Sequence, residues 1–204
     1  MLFSYLLFFA HLQAILFPFY LGYKSINKFK YFKNPKLFTW GFSFLGLASF
    51  FEMIDHTKTE WIYVNHSSIF NSLFYSFLGL GLTFLSISTI RNKSIILINY
   101  IICFLGIISY WLFGKTIALI FQILISFILI INWQRKFKDW LFIGYPIFGI
   151  FFTTFFGIKL STTANQIWHI FIGPSGTISV FIFYLVLIRF NKKLSKINDK
   201  KFFK

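Results

Sequence analysis

Apolar residues run along this chain in seven blocks, each long enough to cross the ~30 Å hydrocarbon layer of a bilayer as a helix of roughly 20 residues. The blocks lie at 2–23, 37–57, 67–90, 94–113, 116–134, 140–159 and 166–190, parted by short polar stretches such as Lys24 to Lys36, Arg91 to Lys93 and Gly114-Lys115. Loops this short make neighbouring helices antiparallel. The pattern therefore predicts an all-α fold, a polytopic membrane protein built as one seven-transmembrane-helix bundle over residues 1–190, followed by a basic tail over 191–204.

Alternate loops differ sharply in charge. One side carries Lys24, Lys28, Lys30, Lys33, Lys36, Arg91, Lys93, Arg135, Lys136, Lys138 and the seven bases from Arg189 to Lys204, which is 17 of the 20 Lys and Arg. The other side has only Lys58, Lys115 and Lys159. Basic loops stay in the cytoplasm, so the N-terminus is expected outside and the C-terminus cytoplasmic. This asymmetry accounts for the net charge of +15 without nucleic acid. A basic tail beside a bilayer touches anionic headgroups, so membrane lipids are the expected partners.

Composition agrees with this picture. Charged residues make up 12% of the chain, where soluble domains carry about 25%, and the mean hydropathy is +0.73. Thirty-three phenylalanines, with many Ile and Lys and few Ala, fit an AT-rich coding sequence, so the aromatic excess is read as compositional and no aromatic cage is inferred. Cys103 is the single cysteine, which excludes an internal disulfide. The first block has no basic residues before it and no small-residue cleavage site, so no signal peptide is expected; this fits a multi-pass protein of a bacterial inner (cell) membrane.

Acids and histidines are placed less evenly than bases. Asp139 and Asp199 lie among cytoplasmic lysines and read as counter-charges, whereas Glu52, Asp55, Glu60, His56 and His66 gather at the outer end of the second block. His169 opens the seventh block from the same side, and His11 lies about 15 Å below the outer face, counting ~1.5 Å per residue. Glu52, Asp55 and His56 have the spacing i, i+3, i+4 and so share one helical face. Asp55 and His56 can be read as markers of the span's end at headgroup level. Glu52, a turn deeper in Ser49-Phe50-Phe51, fits that poorly, and an intramembrane carboxylate points to function.

Imidazoles from several helices with an oxygen ligand and an open position suit zinc, which activates a bound water. Nearby carboxylates then serve as acid or base. His11, near Ser4, Tyr5 and Gln13, fits an interhelical hydrogen bond better than metal ligation. Gly173-Pro174-Ser175-Gly176-Thr177 reads as a kink in the seventh helix. Phosphate loops, nucleophile elbows, CxxC pairs and HExxH helices do not occur.

Seven helices, Glu52-xxx-His56 at the end of the second and Trp168-His169 at the start of the seventh together resemble the CREST superfamily of membrane hydrolases and receptors, which includes alkaline ceramidases and the progestin and adiponectin receptors. Members are similar to one another in a Ser-xxx-His on the second helix, an Asp about a dozen residues on, and a His-xxx-His on the seventh. His56 matches the first histidine and His169 the last, while Glu52 takes the Ser position, Asn165 that of the remaining His, and His66 or Ser67 falls near the Asp. The resemblance implies a zinc ion held by histidines and attack of its water on a lipid amide or ester.

The sequence thus supports two expectations. One is a zinc-dependent integral membrane hydrolase acting on a lipid amide or ester near the outer leaflet, with His56, His169 and His66 as metal ligands and Glu52 and Asp55 as catalytic acid or base. The other is a non-enzymatic transporter or ligand-binding protein that uses the Glu52, Asp55 and histidine cluster for a proton or cation.

Overall fold

The computed structural model describes residues 2–32, 34–58, 69–114 and 167–202, with scattered positions between 120 and 155. Five long helices stand among them: α1 (Leu2–Lys28), α2 (Lys36–Lys58), α3 (Ile69–Thr89), α4 (Lys93–Phe113) and a C-terminal helix (Ile167–Phe202). They coincide with the first four predicted spans and the seventh, and each contains a stretch long and apolar enough to cross a membrane. Described residues of the fifth span are helical from Ile120 to Arg135, as are Phe151 and Phe155 of the sixth; the rest of those two spans lies outside the described residues. The chain is an all-helical, multi-pass membrane protein with the organisation of a seven-helix bundle.

Local chemistry sets the helix ends where the polar punctuation stands. Asn92 caps α4, its Oδ1 accepting from the Ser94 N–H at 2.9 Å. Gly114 closes the other end with φ 84°, a left-handed conformation that glycine adopts without penalty, and its N–H reaches the Tyr110 carbonyl at 2.9 Å. Two helices outrun the predicted spans. α1 continues past residue 23 to Lys28, and the C-terminal helix continues past residue 190 to Phe202. Helical backbone is self-satisfied in water as well as in lipid, so a helix need not stop where the apolar block does. Pro174 lies within the C-terminal helix, and one turn on the Thr177 hydroxyl donates to the Gly173 carbonyl at 3.0 Å.

α2 packs between α1 and α3, α1 also packs on the C-terminal helix, and α3 packs on α4. Lipid rewards apolar surface outside, and α4 shows the consequence. Leu97, Ile101, Phe104, Ile108 and Leu112 face outward, while the buried positions are Asn99, Cys103, Gly106 and Tyr110. The cytoplasmic half of the bundle is filled by aromatic rings instead. Phe29 sits 4.8 Å from Phe38 and 5.3 Å from Tyr184, and Phe42, Phe183, Leu187 and Phe190 complete the cluster. These phenylalanines carry packing, while others, such as Phe9, Phe104 and Phe113, face outward. The Asn191 side chain seals this end, donating to the Lys28 carbonyl at 2.7 Å and accepting from the Tyr31 N–H at 3.2 Å.

The contact of the C-terminal helix with α1 depends on a missing side chain. A Cβ at Gly173 would lie 2.8 Å from the Ala10 carbonyl oxygen, a backbone atom that cannot swing aside, whereas one at Gly176 would meet nothing within 4 Å. Gly173→Ala is therefore expected to destabilise the protein by about 1–3 kcal/mol through overpacking. Gly176→Ala should leave stability unchanged or raised. Thermal unfolding of the two variants in detergent checks the pair.

Candidate functional site

The outer half of the bundle, by contrast, is polar inside. Asp55 comes from the last turns of α2 yet is only 2% exposed. It points into the bundle, which decides against the reading of this residue as a headgroup-level marker. Its Oδ2 accepts from the Asn71 side-chain amide of α3 at 3.5 Å, a long bond. The Oδ1 of the same Asn71 accepts from the Tyr110 hydroxyl of α4, so one amide joins helices two, three and four. Ser72 also hydrogen-bonds Tyr110.

Glu52 lies one turn below Asp55, half-buried, and interacts electrostatically with His11 of α1 and with Asp55. The His11 ring is buried, and Nδ1 bonds the Leu7 carbonyl at 2.8 Å; a carbonyl only accepts, so Nδ1 carries the proton there. Sequence favoured an interhelical bond for this histidine, but this one is to the preceding turn of its own helix. Helix α1 thereby brings an imidazole to the Glu52 carboxyl.

Aromatic rings wall the cluster. Tyr75 stacks on Tyr110 with centroids 4.9 Å apart and planes 23° apart. Phe51 stacks on Phe77 at 5.2 Å. Trp111 donates its indole N–H to the Ser76 hydroxyl at 3.4 Å, and Ser76 donates to the Ser72 carbonyl at 2.8 Å. What results is a carboxylate pair with an imidazole, buffered by amide, phenol and hydroxyl groups, in a low-dielectric setting. Such an arrangement can take up a proton or a small cation and pass the change to the helices that share the Asn71 amide.

Sequence reasoning placed Glu52 and Asp55 correctly on one inward face. His56 stands in the last turn of α2 and His169 in the first turn of the C-terminal helix, but their side chains lie outside the described residues, as does all of His66. Among the described residues, no three His, Cys, Asp or Glu gather closely enough to hold a metal ion. Asn71, Ser72, Tyr75 and Tyr110 were missed. A signal for them exists: Asn99, Cys103, Gly106 and Tyr110 recur at i, i+4, i+7, i+11, a polar and small stripe in an otherwise apolar helix.

If Asn71 is the junction, Tyr110→Phe and Asn71→Leu should not be additive. A double-mutant cycle in detergent unfolding is expected to give a coupling of about 0.6 kcal/mol, the usual size for hydrogen bonds between membrane helices. Strict additivity would show that the two side chains act apart.

A family model described as seven transmembrane receptor matches residues 3–193, nearly the whole chain. No curated protein matches the chain, and no solved structure does.

Proposed function

Because the chain belongs to the seven transmembrane receptor family, we propose that it is a receptor-like, non-enzymatic membrane protein whose outer polar network binds a proton or small cation and alters helix packing in response. The observation that carries this reading is the burial of Asp55 against Asn71, which is itself held by Tyr110. A charge change on Asp55 or on neighbouring Glu52 alters the demand on an amide shared by three helices. A carboxyl that gains a proton draws the Asn71 amide less strongly and becomes a donor itself, which shifts the balance between the bonds that Asn71 makes to Asp55 and to Tyr110. The family resemblance to CREST proteins reaches as far as the seven-helix membrane topology. We place the protein in a bacterial cell membrane, where the charge asymmetry puts this network toward the outside.

The zinc-dependent hydrolase of lipid amides or esters, with His56, His66 and His169 as ligands, remains as a second reading because of one feature of the helix register. Phe42 of α2 meets Phe183 of the C-terminal helix at 6.2 Å. Fourteen residues outward from each stand His56 and His169, both about 21 Å along their helices at ~1.5 Å per residue. Two histidine positions at matching depth support a shared site, although the described donors alone do not form one.

Trp111 reports on the network directly through its bond to Ser76. In lipid nanodiscs, tryptophan emission is expected to change reversibly between about pH 4 and 8, the range over which carboxylates and imidazoles titrate. The change should be lost in Trp111→Phe and displaced or lost in Glu52→Gln and Asp55→Asn. A wild-type response that both acid substitutions leave untouched contradicts the receptor reading. Elemental analysis of the same samples separates the second reading: near-stoichiometric zinc that His56→Ala and His169→Ala each abolish would transfer the assignment to the hydrolase.

A further inference from the structure

The C-terminal helix does not stop with its apolar block. That block ends at Phe190, yet helical backbone continues to Phe202, about 18 Å further at ~1.5 Å per residue. The polar headgroup layer on one side of a bilayer is only ~5–8 Å deep. Lys192 and Lys193 therefore stand at headgroup level, Lys196 at ~9 Å is past its edge, and position 200 at ~15 Å is in cytoplasmic water. A tilt of ~20° changes these heights little. From Thr177 to Phe202 the helix has no Gly or Pro, the residues at which helices bend sharply, so it runs on away from the lipid.

The first turn beyond the apolar block is tied down. Leu194 is buried in the ring cluster with Phe29 and Phe32, and Asn191 bonds both Lys28 and Tyr31. These contacts fix the face that the extension presents. Phe190 and Leu194 are buried, whereas Arg189, Lys192 and Lys196 are exposed. Arg189, Lys192, Lys193, Lys196 and Lys200 have the spacing i, i+3, i+4, i+7, i+11, which is one stripe of a 3.6-residue helix. It holds five of the seven bases from Arg189 onward. The positive-inside rule accounts for the presence of these bases but not for their alignment on one face. Nor does the chain supply the opposite charge, since Asp139 and Asp199 are its only acids on the side that carries 17 Lys and Arg.

We propose that this stripe docks the acidic face of a water-soluble cytoplasmic protein, whose carboxylates meet Lys196 and Lys200 beyond the lipid headgroups. Anionic lipid reaches the inner part of the stripe and not the outer part of a helix that runs straight on. Nucleic acid fits less well, because Asp199 falls on the edge of the stripe seven residues after Lys192. A negative charge there repels a continuous phosphate backbone and is easily avoided by discrete carboxylates. The proposal rests on the receptor reading in one respect: a receptor passes its signal to a cytoplasmic partner, and this same helix touches α1 next to His11, through Gly173 against Ala10.

The test places the full chain in phosphatidylcholine nanodiscs and titrates in a fluorescent helical peptide with glutamates along one face, followed by anisotropy. Wild type is expected to bind it, more weakly as salt rises. Lys196→Gln with Lys200→Gln should weaken binding roughly fivefold. The decisive variant exchanges residues within the extension: Ser195→Lys, Lys196→Ser, Asn198→Lys and Lys200→Asn together keep composition and net charge but break the stripe. It should lose as much affinity as the double variant. No binding by wild type, or undiminished binding by the exchanged variant, overturns the docking site. Tighter binding of an oligonucleotide of equal charge, lost in the exchanged variant, also overturns it in favour of nucleic acid.

A fluorophore on Phe202→Cys in a Cys103→Ser background tests the membrane as occupant, using lipids with spin-labelled headgroups as quenchers. Quenching should stay low with or without phosphatidylglycerol. Quenching that rises with phosphatidylglycerol while peptide binding disappears would show the helix lying on anionic lipid and overturn the proposal. Stripe-dependent binding without a pH response of Trp111 supports the docking site and removes the receptor reading. A Trp111 response without such binding overturns the docking site and leaves the receptor reading standing.

Discussion

Hydrocarbon offers no hydrogen bonds, and the arrangement of this protein follows from that. A polar side chain on a spanning helix must turn inward and find a partner on another helix, because neither lipid nor bulk water will serve it. The helices here carry few polar groups, and among the described residues most of the buried ones are held by one another or by the preceding turn of backbone. Asp55 takes Asn71, Asn71 takes Tyr110, Ser86 takes Asn99, and Ser76 turns to the Ser72 carbonyl while receiving Trp111. Large apolar side chains, freed from forming a core, are sent outward: Phe104, Leu105 and Leu112 of α4 are each exposed. Helix orientation about its own axis is thus fixed by a handful of polar residues and not by the apolar majority.

The two halves of the bundle use this constraint differently. In the cytoplasmic half, rings from the loop between α1 and α2, from α2 and from the C-terminal helix pack edge-on and tilted around Phe29 and Phe38, and the Asn191 amide clamps that loop over them. This half is apolar and firmly tied. In the outer half, α1 to α4 bring imidazole, carboxylates, amide and phenol together, where a single added proton changes which bonds are best. A rigid inner half beneath a titratable outer half suits a protein that responds to a signal at one face. Gly173, pressed against the Ala10 carbonyl, couples the C-terminal helix to the turn of α1 that carries His11.

Topology was legible because it depends on quantities a single strand of text contains: lengths of apolar blocks and counts of lysine and arginine. Spans placed at 37–57, 67–90 and 94–113 became Lys36–Lys58, Ile69–Thr89 and Lys93–Phe113. Helix ends beyond the bilayer were less legible, since Lys24 and Lys192 mark the edge of hydrocarbon and not the end of hydrogen-bonded backbone. The inward face of α2 could be read from the i, i+3 spacing of Glu52 and Asp55. Their partners could not, because that Asn71 meets both Asp55 and Tyr110 depends on the axial offset of three helices, which no local pattern encodes. The periodicity of Asn99, Cys103, Gly106 and Tyr110 did announce a buried polar face, though not what it would face.

Everything proposed for the outer half stands on Asp55 being inside the bundle against α3. Disulfide trapping tests this most directly. With Cys103→Ser as background, Asp55→Cys and Asn71→Cys are introduced together and oxidised in native membranes, alongside Asp55→Cys alone treated with a membrane-impermeant maleimide. The account predicts rapid cross-linking of the pair and protection of the single variant from the reagent. Free labelling at position 55 with no cross-link to position 71 would put this carboxylate at the membrane surface and contradict the network.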